Sequence, residues 1–201
     1  MEQIEVIQFE KCAKGKFRIR FDTGVTCLLY SGECHRLQLK EQSVLTEAEY
    51  SQLLYEVVGK RARKRALHIL EQMDRTELQL RQKLQRSEYP EVCIDSAIDY
   101  VKQYRYLDDY RYACNYVRCT QEKRSRQRIR QDLMGKGVSS ALIESALEEE
   151  YVSSEPQKIQ ELLLKRNYSN ERRDEREFRR TYQFLLRRGF RSPEILQAMK
   201  S

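Results

Sequence analysis

The 201-residue sequence predicts a mainly α protein, with three tandem three-helix repeats forming an elongated arc and a small N-terminal β meander before them. Three observations carry this expectation. The chain overlays on itself. Its 7 Gly and 3 Pro leave long helices few interruptions, while 34% charged residues and 40% hydrophobic ones describe thin helical layers with wet faces. Its apolar period changes from two near the N-terminus to 3.6 from about residue 46 onward.

The overlay sets residues 76–98 on 125–147, a shift of 49. Thr76 falls on Ser125, Leu80 on Ile129, Arg81 on Arg130, Leu84 on Leu133, Tyr89 on Val138 and Ile94 on Ile143. A further shift of 52 takes Leu133 to Leu185, Val138 to Phe190, Ile143 to Ile195 and Ala146 to Ala198. Such a period marks stacked supersecondary units. Helices are expected near 61–73, 76–87 and 90–105, then 108–121, 125–135 and 139–150, then 155–166, 171–188 and 192–199.

Each element has a local cause. Ile4 and Val6, then Ile7 and Phe9, alternate with charged residues, and Ala13-Lys14-Gly15-Lys16 turns the chain. Phe17, Ile19 and Phe21 alternate with Arg18 and Arg20, so one face of a second strand is buried; Asp22-Thr23-Gly24 leads to a third strand over 25–30, ended by Ser31-Gly32. A meander this small needs a helix to lean on. Thr46 with Glu49 forms a capping box, and Tyr50, Leu53, Leu54, Val57 and Val58 make the stripe of the helix it starts. The basic run Lys60, Arg61, Arg63, Lys64, Arg65 reads as the solvated side of a continuing helix, because Ala62, Ala66, Leu67, Leu70 and Met73 keep the period. Asp108-Asp109 caps the next helix, Ser125 caps the one after, and Gly135-Lys136-Gly137 stops it. In the third copy Glu177 stands at the cap position, so the cap has moved. The domain ranges that follow are a β-rich extension at 1–45, a linking helix with the first repeat at 46–106, the second repeat at 107–152 and the third at 153–201.

Composition excludes several classes of function. No apolar run approaches the roughly 20 residues that span a bilayer, and the N-terminus is no signal peptide, so no membrane role is expected. Six cysteines without a CxxC pair suit free thiols in a reducing cytoplasm, and Cys27, Cys34 and His35 lack the tight spacing of a metal site. No nucleophile elbow, phosphate loop or zinc-protease motif is present, and the two histidines lie in different settings. The sequence reads as a binder, not an enzyme, with no cofactor and no metal.

What it binds is indicated by charge. The net charge is +7, yet residues 1–60 carry 8 basic against 9 acidic residues, so the excess lies on the repeats. A basic helical body calls for an anionic partner. The ion-pair spacings Glu122–Arg126 and Arg128–Asp132 leave room for a plainly solvated scaffold as well. The candidate contact residues are Arg111, Arg124, Arg126, Arg128, Arg130 and Lys136 in the second repeat, and Arg179, Arg180, Arg187 and Arg188 in the third. Arg124 with Arg128, and Arg126 with Arg130, are expected to share helix faces, at least two of them outward. Charge reversal of such a pair is expected to leave stability nearly unchanged. Tyr106 and Tyr110 are the candidate base-stacking residues; Tyr112 and Tyr116 lie on the core stripe.

The ALxxL opening at Ala66–Leu70, the YLDDYRYA stretch at 106–113, RIRQDLMGKGV at 128–138 and FLLRRGF at 184–190 resemble the RecX family over about residues 60–200. The β-rich part resembles an extension found in some members. The resemblance implies a monomeric regulator of DNA repair, recombination and the SOS response. Such a protein lies in the groove of the RecA recombinase filament, suppresses recombinase and ATPase activity, and contacts DNA weakly or within the filament. Direct DNA binding through phosphate contacts is the alternative.

Overall fold

The computed structural model describes residues 3–152, 154–169 and 174–200, in two compact units, Met1–Asp108 and Asp109–Ser201.

The first unit opens with strands β1 (Gln3–Ala13), β2 (Lys16–Phe21) and β3 (Thr26–Tyr30), followed by helix α1 (Ser31–Arg36) and strand β4 (Val44–Thr46). The sheet order is β3-β2-β1-β4 with antiparallel neighbours. The change of phase between Val6 and Ile7 has a structural cause. The β1–β2 register shifts between Val6 and Gln8, a bulge that leaves Ile7 exposed and brings Phe9 to within 4.9 Å of the Phe17 ring. Neither β4 nor α1 was expected. β4 is three residues long, too short for a period, and α1 begins because the Glu33 carboxylate accepts from the Tyr30 N–H at 2.8 Å.

Thr46 and Glu49 form the expected capping box: each side chain accepts from the other's backbone N–H, at 3.3 and 2.9 Å, and these bonds hold the Glu49 carboxyl below its usual range. Helix α2 (Glu47–Gln52) runs through a π-helical turn, Leu53–Gly59, into α3 (Lys60–Gln72). The wide turn depends on Gly59, since a Cβ there would lie 2.9 Å from the Leu54 carbonyl oxygen. Helices α4 (Glu77–Arg86) and α5 (Glu91–Gln103) complete the three-helix module. Sheet and module share one hydrophobic cluster, in which Val6, Ile19, Phe21 and Leu29 meet Leu53, Ala62, Leu80, Leu84, Ile94 and Ile98. Burying each large side chain of this set contributes about 1.5–3 kcal/mol. The basic run does continue the helix, with Ala62 and Ala66 buried.

The second unit holds α6 (Asp109–Thr120), α7 (Arg126–Gly135), α8 (Ser140–Glu150), α9 (Glu155–Lys165), α10 (Glu175–Leu186) and α11 (Ser192–Lys200). One cluster gathers Ala113, Val117, Ile129, Leu133, Ile143 and Leu147; another gathers Ile159, Leu163, Leu185, Phe190, Ile195 and Met199. The cap of the third copy has moved, to Asp174, which accepts from Arg176 N–H at 2.9 Å. The expected helix start at 171–173 lies outside the described residues.

The 49- and 52-residue shifts have a backbone counterpart. Glu88, Gly137 and Gly189 all take positive φ, at 58°, 85° and 85°, and end the middle helix of each module. The next residue, Tyr89, Val138 or Phe190, donates its N–H back to Leu84, Leu133 or Leu185 and turns its side chain to the core. Each ending is of the Schellman type, closed by an apolar contact.

Candidate partner-binding faces

The basic helix α7 starts where Ser125 Oγ accepts from Arg128 N–H at 3.1 Å, and Ile129 and Leu133 fix it in the core. Its arginines converge in pairs on two carboxylates. Arg124, which precedes the cap and so is not on the helix, reaches Asp132, and Arg128 meets the same carboxylate at 3.1 Å. The Tyr116 hydroxyl donates to Asp132 at 3.2 Å and accepts from Arg124 at 2.8 Å. Arg130 grips Glu144 through two bonds of 2.6 and 2.8 Å, and Arg126 approaches it at 3.8 Å. Arg130 holds the Glu144 carboxyl below its usual range. The expected Glu122–Arg126 helical pair does not form, because α6 ends at Thr120 before Glu122 and α7 begins only at Arg126. Much of the α7 charge is thus neutralised inside the unit, although Arg124, Arg126, Arg128 and Arg130 keep 32–44% of their side-chain surface exposed.

Of the other candidates in this module, Arg111 lies exposed on α6, and Lys136 sits 5.4 Å from the Tyr116 ring centroid. Tyr110 packs on the core and its hydroxyl donates to Glu149, which pushes the phenol well above its ordinary range. That leaves Tyr106, at the end of the first unit, as the exposed member of the stacking pair.

The third module carries a different arrangement. Arg188 lies over the Phe184 ring at 3.6 Å and Arg166 lies over it at 4.3 Å. Arg166, Arg179, Arg180, Gln183, Phe184 and Arg187 line an open cavity of about 560 Å³. Arg179 is paired with Glu175 at 2.5 Å. Among the described residues, Arg166, Arg180 and Arg187 have no carboxylate within ion-pair distance. Burial and the neighbouring arginines 166, 124 and 187 lower the pKa of Arg188, and its buried Nε has no hydrogen-bond partner. Arginines that face one another without an acid suit an anionic partner, and their planar groups take carboxylates or phosphates in pairs of bonds. Sequence reasoning missed Arg166 and the place of Phe184. Arg166 closes α9, just before the turn at Asn167, and the apolar period does not report on such positions.

The matches to known proteins follow this layout. Residues 62–100 match the family model of the RecX first three-helix domain, and 108–147 that of the RecX second three-helix domain. A regulatory protein RecX of Vibrio vulnificus is 33% identical over 139 residues, covering 67% of this chain and 88% of that one. The chain belongs to the RecX family. A regulatory protein RecX of Caldanaerobacter subterraneus is 28% identical over 196 residues and covers 96% of each chain. The clostridial relatives are spanned less fully, 63% of the length in Clostridium botulinum strain Eklund 17B. A crystal structure of a regulatory protein RecX shares the fold, with a TM-score of 0.60, 23% identity, and coverage of 98% of this chain and all of that one. The two RecX domains correspond to α3–α5 and α6–α8, so the Phe184 cluster lies beyond both.

The cysteines of this RecX-family chain are placed as follows. Cys27 and Cys34 are buried, while His35 is exposed. The ligand-type atoms that do gather among the described residues belong to Cys114, Glu149 and Glu150, whose carboxylates already bind Tyr110 and Arg118. None of the described helices is long and apolar enough to cross a membrane.

Proposed function

We propose that this chain is a non-enzymatic, monomeric, cytoplasmic regulator that binds the RecA recombinase filament in its groove and inhibits its recombinase and ATPase activities during DNA repair and recombination. Membership of the RecX family supports the regulatory part. The observation that carries the contact is the third-module cluster, where Arg166, Arg180 and Arg187 surround Phe184 without a carboxylate partner among the described residues. That cluster meets an acidic wall of the filament or its DNA, and the exposed portions of Arg111, Arg124, Arg126, Arg128, Arg130 and Lys136 add weaker contacts. Several modest contacts along a repetitive filament raise affinity through multivalency, with no deep pocket.

The test is co-sedimentation with RecA filaments, with and without DNA, alongside the filament ATPase rate. Sedimentation with the filament and a falling ATPase rate are expected, both weakened by Arg180→Glu with Arg187→Glu. Absence of co-sedimentation at low salt would overturn the reading. The same cluster favours direct DNA binding as the second reading. In that case binding to DNA alone is tight enough to compete with RecA and falls steeply with salt.

A further inference from the structure

In the first unit, β2, β3, α3 and the turn after α4 enclose a cleft of about 420 Å³. Lys16 and Tyr30 come from the sheet, Arg61 and Arg65 from α3, and Arg86 and Tyr89 from the end of α4 and its turn. Its walls are fixed by charge. Arg18 pairs with Glu88 at 2.7 Å and straps β2 to the turn. Arg61 binds Glu33 at 3.0 Å and the Leu28 carbonyl at 2.5 Å, with its guanidinium 4.8 Å from the centre of the Tyr30 ring.

Both nearby carboxylates, Glu33 and Glu88, are therefore taken. Lys16, Arg65 and Arg86 have no carboxylate within ion-pair distance among the described residues, and the buried Arg61 Nε has no hydrogen-bond partner. Cations gathered around one concavity repel each other unless an anion joins them. Tyr89 is half-buried, and burial raises its phenol above the ordinary value, so it is a neutral donor at physiological pH. The cleft is in the size range of small-ligand sites. A concavity with cations and aromatic walls fits a phosphate joined to a flat ring better than an extended acidic peptide, which needs a ridge of basic residues.

We propose that this cleft is a nucleotide site, with the phosphate held by Lys16, Arg65 and Arg86 and the base or sugar resting on Tyr89. The ligand is a free nucleoside phosphate or one unit of a nucleic-acid strand. The N-terminal sheet is half of the site, since it supplies Lys16 and Tyr30 to the lining. Binding here is independent of the filament reading, and the test contains no RecA.

The experiment titrates the full chain with ATP, with inorganic pyrophosphate, with a labelled oligothymidylate and with a labelled polyglutamate peptide. Lys16→Glu with Arg86→Glu is compared with Lys64→Glu plus Lys83→Glu, an equal charge change at exposed positions outside the cleft. Circular dichroism checks folding, and Lys16→Gln with Arg86→Gln replaces the reversal if it unfolds. The cleft variant is expected to bind ATP or the oligonucleotide about tenfold more weakly, while the control changes about twofold or less. Loss confined to the oligonucleotide assigns a strand, and loss that includes ATP assigns a free nucleotide. Equal losses in both double variants, no nucleotide or oligonucleotide binding by the unmodified chain, or cleft-dependent binding of polyglutamate alone would overturn the proposal.

Discussion

Ser125 Oγ donates to the carbonyl oxygen of Gly189 at 2.7 Å, and the Ser125 N–H donates to the Arg188 carbonyl at 3.0 Å. The same hydroxyl oxygen accepts from Arg128 N–H, so one buried side chain both caps α7 and ties the second module to the turn of the third. Gly189 is required twice. Its φ is +85°, and a Cβ would lie 2.6 Å from both Ser125 Oγ and Arg128 Cβ.

Gly189→Ala is therefore expected to lower unfolding stability by about 2 kcal/mol or more, from left-handed backbone strain and overlap together. Ser125→Ala should lower it by about 1–2 kcal/mol through loss of the cap and the tie. The two changes disrupt one contact, so in urea melts the double variant should lose less than the separate losses combined. Additive losses would show that the two residues are not coupled.

This contact also marks the limit of what the sequence made legible. The equivalence of Thr76 and Ser125 was visible, as were the helix seams, because 3.6-residue periods and cap residues are local signals. That Ser125 meets a residue 64 positions away was not, since no local pattern encodes it. The β1 bulge left a trace in the broken alternation at Ile7, while β4 and the π-helical turn left none. For the candidate faces, the arginines and the Arg128–Asp132 pair were visible, but the other partners were not. Asp132 on α7 also binds Arg124, which lies outside the helix, and Glu144 reaches Arg126 and Arg130 from α8.

Those partners change what charge reversal should do. Arg124→Glu with Arg128→Glu leaves Asp132, whose side chain is 14% exposed, facing two new carboxylates. A loss of about 2–4 kcal/mol is expected, against the small effect that sequence spacing alone suggests. Arg180→Glu with Arg187→Glu should shift stability by only about 0.5 kcal/mol, because no described carboxylate depends on either residue. The proposed inhibition of the RecA ATPase should nonetheless weaken in that variant. Thermal melts and ATPase assays on both variants separate the two effects, and equal stability losses would refute the distinction.

Thiol reactivity should divide the six cysteines. Burial pushes Cys27 up to about 12 and Cys93 up to about 11, and Cys93 donates its S–H to the Leu54 carbonyl at 3.3 Å. Cys34 and Cys114 are also buried and raised. A thiol reagent near neutral pH should modify Cys12 and Cys119 quickly and the other four only on unfolding. Rapid labelling of Cys27 or Cys93 in the native chain would mean that the core of the first unit opens readily.

Lys158 gives a pH-dependent prediction. It is 3% exposed, its Nζ has no hydrogen-bond partner, and it lies 3.6 Å from the centre of the Tyr151 ring. Burial lowers its pKa to about 8, against the opposing pull of Glu155, Glu122 and Glu161. Below that value the folded and unfolded chains both carry the charge, and the folded chain bears the full desolvation cost. As pH rises from about 8 toward the ordinary lysine value, only the folded chain gives up its proton, so stability rises. The ring face returns part of the lost hydration, which limits the cost. Lys158→Met should raise stability at pH 7 by about 1–2 kcal/mol, and the gain should shrink as pH approaches 10. Thermal melts of both proteins across that range provide the measurement. A gain that stays constant with pH would show that packing, and not the buried charge, sets the difference.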